Sequence, residues 1–457
     1  MTVNSSASTQ RKAPQPYFED PCEVYARLSL LGDAVLLDSG GDAGRGRFDI
    51  IAAQPERAGG LYLPASISLP ALREQLANWS RLAEQRSQLP PDTAPSALPF
   101  DGGYIGHLSY ELGRRLQNLP AAAGTLPLAV ARFYPWAVVQ DRQLRQSWLV
   151  GDLSASTDLQ ARIERLLGTD PAVVDAPEFS LNGRFTGHWS LQDYAAVFER
   201  AQQYISAGDS YQINIAQRFS AGFRGELFAA YRILRKIARA PFSAYFPLEK
   251  NRALLCVSPE RFLTVRDRQV ETRPIKGTRP RDIDPARDRE LAAELLQSTK
   301  ERAENLMIVD LLRNDIGRFC EAGTVRADTL FSLESYATVH HLVSVVTGTL
   351  RRDSSVIELL LGCLPGGSIT GAPKHRAMQI IDELETVSRQ AWCGTIFYLS
   401  RDGRMDSNIT IRTLYNEGDQ LHCWAGGGLV HDSLVEHEFQ EQMDKVGAFL
   451  HALEVGS

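Results

Sequence analysis

Glu260 and the pair Lys276-Gly277 are the first residues of this chain whose types and spacing suggest chemistry. They flank two strand-like runs, 261–266 (Arg-Phe-Leu-Thr-Val-Arg) and 269–273 (Gln-Val-Glu-Thr-Arg), with the polar Arg266, Asp267 and Arg268 supplying a turn between them. A β-hairpin follows from that pattern. With a three-residue loop over 267–269, Glu260 faces Lys276 at the open end, and Gly277 lets backbone approach a ligand closely. A lysine attacks carbon only as the free amine, and at an ordinary pKa of ~10.4 it is almost wholly protonated at pH 7. Burial or a neighbouring cation must therefore lower its pKa if it is a nucleophile. An exposed ion pair, worth under ~1 kcal/mol, is the alternative account of the same two residues.

Two further pairs of carboxylates share a spacing of three. Glu301 and Glu304 fall on one face of a helix expected over 286–313, and Glu438 and Glu441 on one face of the last helix, with Lys445 one turn beyond. Two helices presenting paired carboxylates suit a hard divalent cation such as Mg²⁺, held by a few oxygens plus water. For Glu301 and Glu304, pairing with Lys300, Arg302 or Arg313 at the surface is the competing reading. The run Gly426-Gly427-Gly428 closes a strand where backbone N–H groups can face a carboxylate, and Arg412 precedes it.

These residues need elements to position them. A capping-box pattern at Ser190–Asp193 opens a helix with Tyr194, Val197, Phe198, Ala201, Tyr204 and Ile205 on one face, stopped by Gly208. An alternating strand follows at 211–219, then a helix over 225–238. Residues 392–425 read as an antiparallel meander, with 406–414 as one strand. The run Leu364–Lys374 lacks the Gly-Lys-Ser/Thr of a phosphate loop, having Gly371-Ala372-Pro373 instead, so nucleotide binding is rejected; a helix start near Pro373 accounts for it. Residues 17–150 are mostly β with a helix near 69–86, 151–189 reads as a linker, and 1–16 as a disordered tail without a secretory apolar core.

Composition sets the outer bounds. At 457 residues, with 44% apolar and 23% charged residues, the chain is long enough for two domain-sized units or one large composite core. A net charge of −6 gives no basic field for nucleic acid, and no apolar run is long enough to span a membrane. The six cysteines are scattered without disulfide or zinc spacing, so the reducing cytoplasm is the expected compartment.

Taken in order, Ser258-Pro-Glu-Arg-Phe, Pro274-Ile-Lys-Gly-Thr278, Ala303–Asp315, His341-Leu-Val-Ser, Leu364–Lys374, Ile411-Arg-Thr413, Ala425-Gly-Gly-Gly and Glu438-Phe-Gln-Glu441 resemble the motifs of the chorismate-utilising enzymes. The resemblance is dense over 190–450 and looser over 17–150. It implies an α+β fold of two mainly antiparallel β-sheets packed as a sandwich with helices outside, 190–453 forming the chorismate-binding region. Within the family Lys276 is similar to the branch that aminates chorismate at carbon 4, since anthranilate and isochorismate synthases carry a small residue there. Gln212 stands where isochorismate synthases look to need a water-activating lysine. Anthranilate synthesis is the runner-up, and a catalytically silent relative a further alternative.

The resemblance assigns Lys276 as nucleophile, Glu260 as acid, and Gly277, Thr278, His341, Tyr398, Arg412, Gly427, Gly428 and Lys445 as substrate-binding residues. Mg²⁺ would sit on Glu304 and Glu441, with Glu301 and Glu438 supporting. Phe397 stands where relatives often have Gly. Ammonia would come from a separate glutamine amidotransferase subunit in a heterodimer, because the chain has no Gly-x-Cys-x-Gly element of its own. Ser39, Arg45, Gly46, Arg47 and Phe48, with Pro241, Phe242 and Ser243, match the family's tryptophan-binding region.

Overall fold

A computed structural model describes residues 12–40, 46–88, 97–120, 124–152, 157–168, 178–249, 251–335 and 339–456. Among them lie two antiparallel sheets, of 13 and 10 strands. A continuous core joins inward residues of the larger sheet (Ile50, Leu254, Cys256, Tyr415, Trp424) to those of the smaller (Ile105, Phe262, Ile396), so the sheets pack face to face. The outer face of the larger sheet is covered by helices Pro21–Leu28, Thr157–Gly168, Leu227–Ala238 and Val435–Val455. This is the α+β sandwich expected from the sequence.

Both sheets draw on both halves of the chain. In the larger, Val35–Asp38 pairs with Phe242–Pro247, setting Asp38 opposite Ser243. In the smaller, Gly103–Leu108 pairs with Thr395–Ser400, setting Leu108 opposite Thr395. The stretch read as a linker contains the helix Thr157–Gly168, whose Ile163 and Leu167 are buried in the core, and the strand Phe179–Leu181. Leu159 and Leu166 of that helix pack against the same core, half-buried.

Helices begin where their caps dictate. Ser190 and Asp193 form the reciprocal capping box of Leu191–Ser206, and that helix buries Tyr194, Ala201 and Ile205. The helix expected over 286–313 is two, Pro285–Gln297 and Thr299–Gly317. Ser298 stands between them in an extended conformation and accepts the Glu301 N–H at 3.3 Å, so a hydroxyl starts the second helix where periodicity alone suggests continuity.

Two strand readings are corrected. The hairpin Arg261–Arg266/Gln269–Thr272 closes through a two-residue turn, with Asp267 at φ 50° and Arg268 at φ 62° and Arg266 opposite Gln269. Left-handed backbone at both turn residues matches the twist of the strands, and this overrides the three-residue loop. Ile275–Pro280 then leaves the hairpin and pairs with Val339–Thr349, so Glu260 and Lys276 are not cross-strand neighbours in it. The supposed strand 406–414 divides into Met405–Asn408 in the smaller sheet and Thr413–Glu417 in the larger.

That division creates a seam. Residues 409–412 cross from one sheet to the other, alongside 258–260, which cross between Ala253–Ser258 and Arg261–Arg266. The crossings are stitched by Ser258 Oγ to Ile409 O at 2.6 Å, Ile409 N to Glu260 O at 3.1 Å and Val257 N to Arg412 O at 3.0 Å. Glu260 and Arg412 both sit on this seam.

Candidate active site at the seam between the sheets

Glu260 is 7% exposed, and its Oε1 accepts a hydrogen bond from Ser368 Oγ at 2.9 Å. Burial raises its pKa above the ordinary carboxylate value, against the opposing pull of the Ser368 hydroxyl, Lys276 and Arg412. Lys276 is half-buried and donates from Nζ to the backbone oxygen of Ser368 at 3.3 Å. Loss of hydration lowers its pKa, helped by Lys445 and opposed by Glu304, Glu260 and Glu441. Both residues therefore bond to one turn, Gly367–Ile369, rather than facing each other across a hairpin. A buried acid biased towards its protonated form beside an amine biased towards its neutral form is the pairing that proton donation and nucleophilic attack require.

Ser368 is the residue that sequence reasoning missed. It lies within Leu364–Lys374, a run whose glycines and Lys374 draw the eye first. Lys374 is spent elsewhere: buried, it pairs with Asp315 at 2.5 Å and donates to Cys363 O at 3.1 Å.

Around the amine lie the residues named for substrate. Thr278 faces His341 across the strand pair, their side chains bonded at 2.8 Å. Gly277 holds φ 86°, and a Cβ there would come within 2.8 Å of Glu301 Oε2 and Leu295 Cδ1, so only glycine fits. Lys445 donates to Gly426 O at 2.9 Å and pairs with Glu441 at 2.5 Å. A Cβ on Gly427 would stand 2.8 Å from Glu438 Oε2 and 3.9 Å from Glu441 Oε1, while one on Gly428 would collide with the Gln212 amide. Gln212 is buried, and its Oε1 has no hydrogen-bond partner among the described residues.

The carboxylates expected to hold a metal have individual partners. Glu301 pairs with Arg279 at 3.2 Å, Glu304 lies 4.0 Å from Lys300, and Glu438 accepts from Ser433 Oγ at 2.7 Å. Among the described residues no three His, Cys, Asp or Glu side chains converge as a metal cage. The donor set nevertheless suits Mg²⁺, which needs one or two carboxylates beside water and ligand oxygens. Glu304 feels Glu301 and Glu438, and Glu438 feels Glu441, after burial the repulsions that raise both carboxyls. A cation between the two helices would relieve that repulsion.

Tyr398 lies on the strand Thr395–Ser400. It lines a separate cavity of about 300 Å³ together with Ser39, Gly46, Arg47, Phe48, Pro241, Phe242 and Ser243, the residues expected to form a tryptophan-like pocket. Arg45 lies outside the described residues. Phe397 also lines this cavity, and Gly106 stands opposite it, so the small residue sits on the neighbouring strand. The cavity wall includes Arg261, joined to Asp406 by two bonds of 2.9 Å. No helix among the described residues is long and apolar enough to cross a membrane.

Residues 33–451 match the family model described as chorismate binding enzyme. The chain is 45% identical over 453 residues to "Aminodeoxychorismate synthase component 1" of Klebsiella aerogenes, covering 96% of this chain and 98% of that one. It is 42% identical over 446 residues to the protein of the same name from Escherichia coli strain K12, covering 95% and 97%. The crystal structure of anthranilate synthase component I from Streptococcus pneumoniae TIGR4 superposes with a TM-score of 0.77 at 29% identity, covering 89% of this chain and 92% of that one. The chain belongs to the chorismate-binding enzyme family.

Proposed function

We propose that the chain converts chorismate and ammonia to 4-amino-4-deoxychorismate, the precursor of 4-aminobenzoate and folate, through a covalent adduct on Lys276. The observation that carries the reading is the shared turn. Ser368 holds the Glu260 carboxyl by its hydroxyl and the Lys276 amine by its carbonyl, which supports reading the two as acid and nucleophile on one ligand.

Lys276 Nζ attacks ring carbon 2, the ring double bonds shift, and the bond from carbon 4 to its hydroxyl breaks. Glu260 supplies the proton with which that hydroxyl leaves as water. Ammonia then adds at carbon 4, the double bonds shift back, and Lys276 departs from carbon 2 as the neutral amine. The proton shed by the new ammonium returns to Glu260, so both residues finish as they began. No oxidant or reductant is needed.

Thr278 and His341, with Gly277, Arg412, Gly427, Gly428 and Lys445, are proposed to hold the substrate's carboxylates and ring. Mg²⁺ is proposed on Glu304 and Glu441, supported by Glu301 and Glu438, where it would neutralise the ring carboxylate and so admit an anion beside four acidic residues. Gln212 offers a neutral amide where a base would be needed to activate water, which supports ammonia as the nucleophile. The word "component" in the relatives' names supports a partner subunit. We read that partner as a glutamine amidotransferase delivering ammonia in the cytoplasm. The cavity around Ser39 and Phe48 is proposed to bind tryptophan or a molecule like it.

The test is a product assay of purified chain with chorismate, Mg²⁺ and ammonium, with and without aminodeoxychorismate lyase. 4-Aminobenzoate that depends on the lyase supports the proposal. 2-Aminobenzoate formed without it would make the chain an anthranilate synthase, and an absence of turnover even with the amidotransferase would leave a silent relative.

A further inference from the structure

The turn Gly367–Ile369 is built to hold still. Arg389 is 1% exposed; it donates to Ile369 O at 2.9 Å and Asn214 O at 2.7 Å, and is paired with Glu385 at 2.6 Å. Thr370 Oγ1 donates back to Gly366 O at 3.1 Å. Ser368 itself is 8% exposed, and its two polar oxygens face different groups: Oγ the Glu260 carboxyl, the backbone oxygen the Lys276 amine.

We propose that Ser368 is a positioning residue that fixes which oxygen of Glu260 carries the proton and which way the Lys276 lone pair points. The proposal rests on the amination reading above and deepens it. A carboxylic acid has one proton and two oxygens. The Ser368 hydroxyl donates to Oε1, so Oε1 is the acceptor and the proton resides on Oε2, the oxygen left for the leaving hydroxyl. The neutral amine of Lys276 has two N–H groups and one lone pair. Committing one N–H to Ser368 O turns the lone pair away from that carbonyl and towards the cleft. After the first half-reaction Glu260 is a carboxylate, and the same hydroxyl bond becomes charge-assisted and stronger. Ser368 thus supports the base that the second half-reaction needs, while Ser258 Oγ holds the Glu260 backbone N–H at 3.2 Å.

The experiment compares wild type, Ser368→Ala and Ser368→Thr. Alanine removes the hydroxyl and keeps the carbonyl; threonine keeps both. Infrared titration of the Glu260 carboxyl band, identified by its loss in Glu260→Gln, reads the proton without substrate. The acid dissociation constant is expected to fall roughly three- to tenfold in Ser368→Ala, because a bond to the charged form is lost. Ser368→Thr is expected to restore it. In turnover, kcat of Ser368→Ala is expected to fall on the order of 10- to 100-fold, with KM for chorismate within a few-fold. The limb of the pH profile that follows Glu260 should move upward in parallel. An unchanged Glu260 titration in a folded Ser368→Ala would overturn the proposal while leaving the amination reading intact. A shifted titration together with no amination at carbon 4 in wild type would overturn the amination reading, while still supporting Ser368's hold on the proton.

Discussion

Replacing Glu260 by glutamine is expected to lower activity and raise stability together. Glutamine keeps the shape, and its Oε1 still accepts from Ser368 Oγ, so the 2.9 Å bond survives the change. What is lost is the proton for the leaving hydroxyl, a contribution of about 10²- to 10⁴-fold to the rate. The stability effect follows from the direction of the Glu260 shift. Its pKa is raised in the folded chain because burial outweighs the attraction of Ser368, Lys276 and Arg412 for the ionised form. A raised carboxyl favours folding fully below its unfolded value of ~4.3, and that advantage is lost as pH rises through the folded value. Above the folded value each unit of elevation costs ~1.4 kcal/mol of stability, which glutamine does not incur. Glu260→Gln should therefore unfold at a higher temperature than wild type near pH 8, and the difference should vanish near pH 4. The assay is thermal unfolding across pH beside turnover with ammonium. A variant that retains turnover within a few-fold, or is less stable than wild type at pH 8, would refute this reasoning.

Three other outcomes are expected. Gly427→Ala places a methyl 2.8 Å from Glu438 Oε2 at a backbone position that tolerates alanine; the Mg²⁺ concentration for half-maximal chorismate binding, followed by calorimetry, should rise roughly 10- to 100-fold. Gly447 lies in the same helix as Glu438, and a methyl added there would meet no atom within 4 Å, so Gly447→Ala should stabilise by ~0.5–1 kcal/mol in denaturant unfolding without altering turnover. Phe48→Ala should weaken any binding of tryptophan seen by calorimetry at least tenfold, since Phe48 lines the cavity that Tyr398 and Phe242 share.

How much of this is readable in the sequence depends on the range of the interaction. The capping box at Ser190 and the helix Leu69–Arg86 are local, and both appear at their expected places. The two sheets are legible as a class through the family motifs. Their seam is not, because a chain that changes sheets alternates apolar and polar residues much as one long strand does. Only the left-handed Arg412, at φ 48°, marks the crossing, and nothing in its side chain announces that backbone. Lys276 and Glu260 stand out by their chemistry, although they bond to one turn rather than facing each other across a hairpin. Ser368 stands 92 residues from Lys276 and 108 from Glu260, so no spacing rule joins them.

The account stands or falls on the bond between Lys276 and ring carbon 2. Wild-type chain incubated with chorismate and Mg²⁺ in the absence of ammonia, quenched in acid and read by intact and peptide mass spectrometry, tests it directly. The expected result is an adduct of chorismate less one water on the peptide containing Lys276, absent in Lys276→Ala and discharged by ammonium to 4-amino-4-deoxychorismate. No adduct at any time, together with undiminished amination by Lys276→Ala, would contradict it.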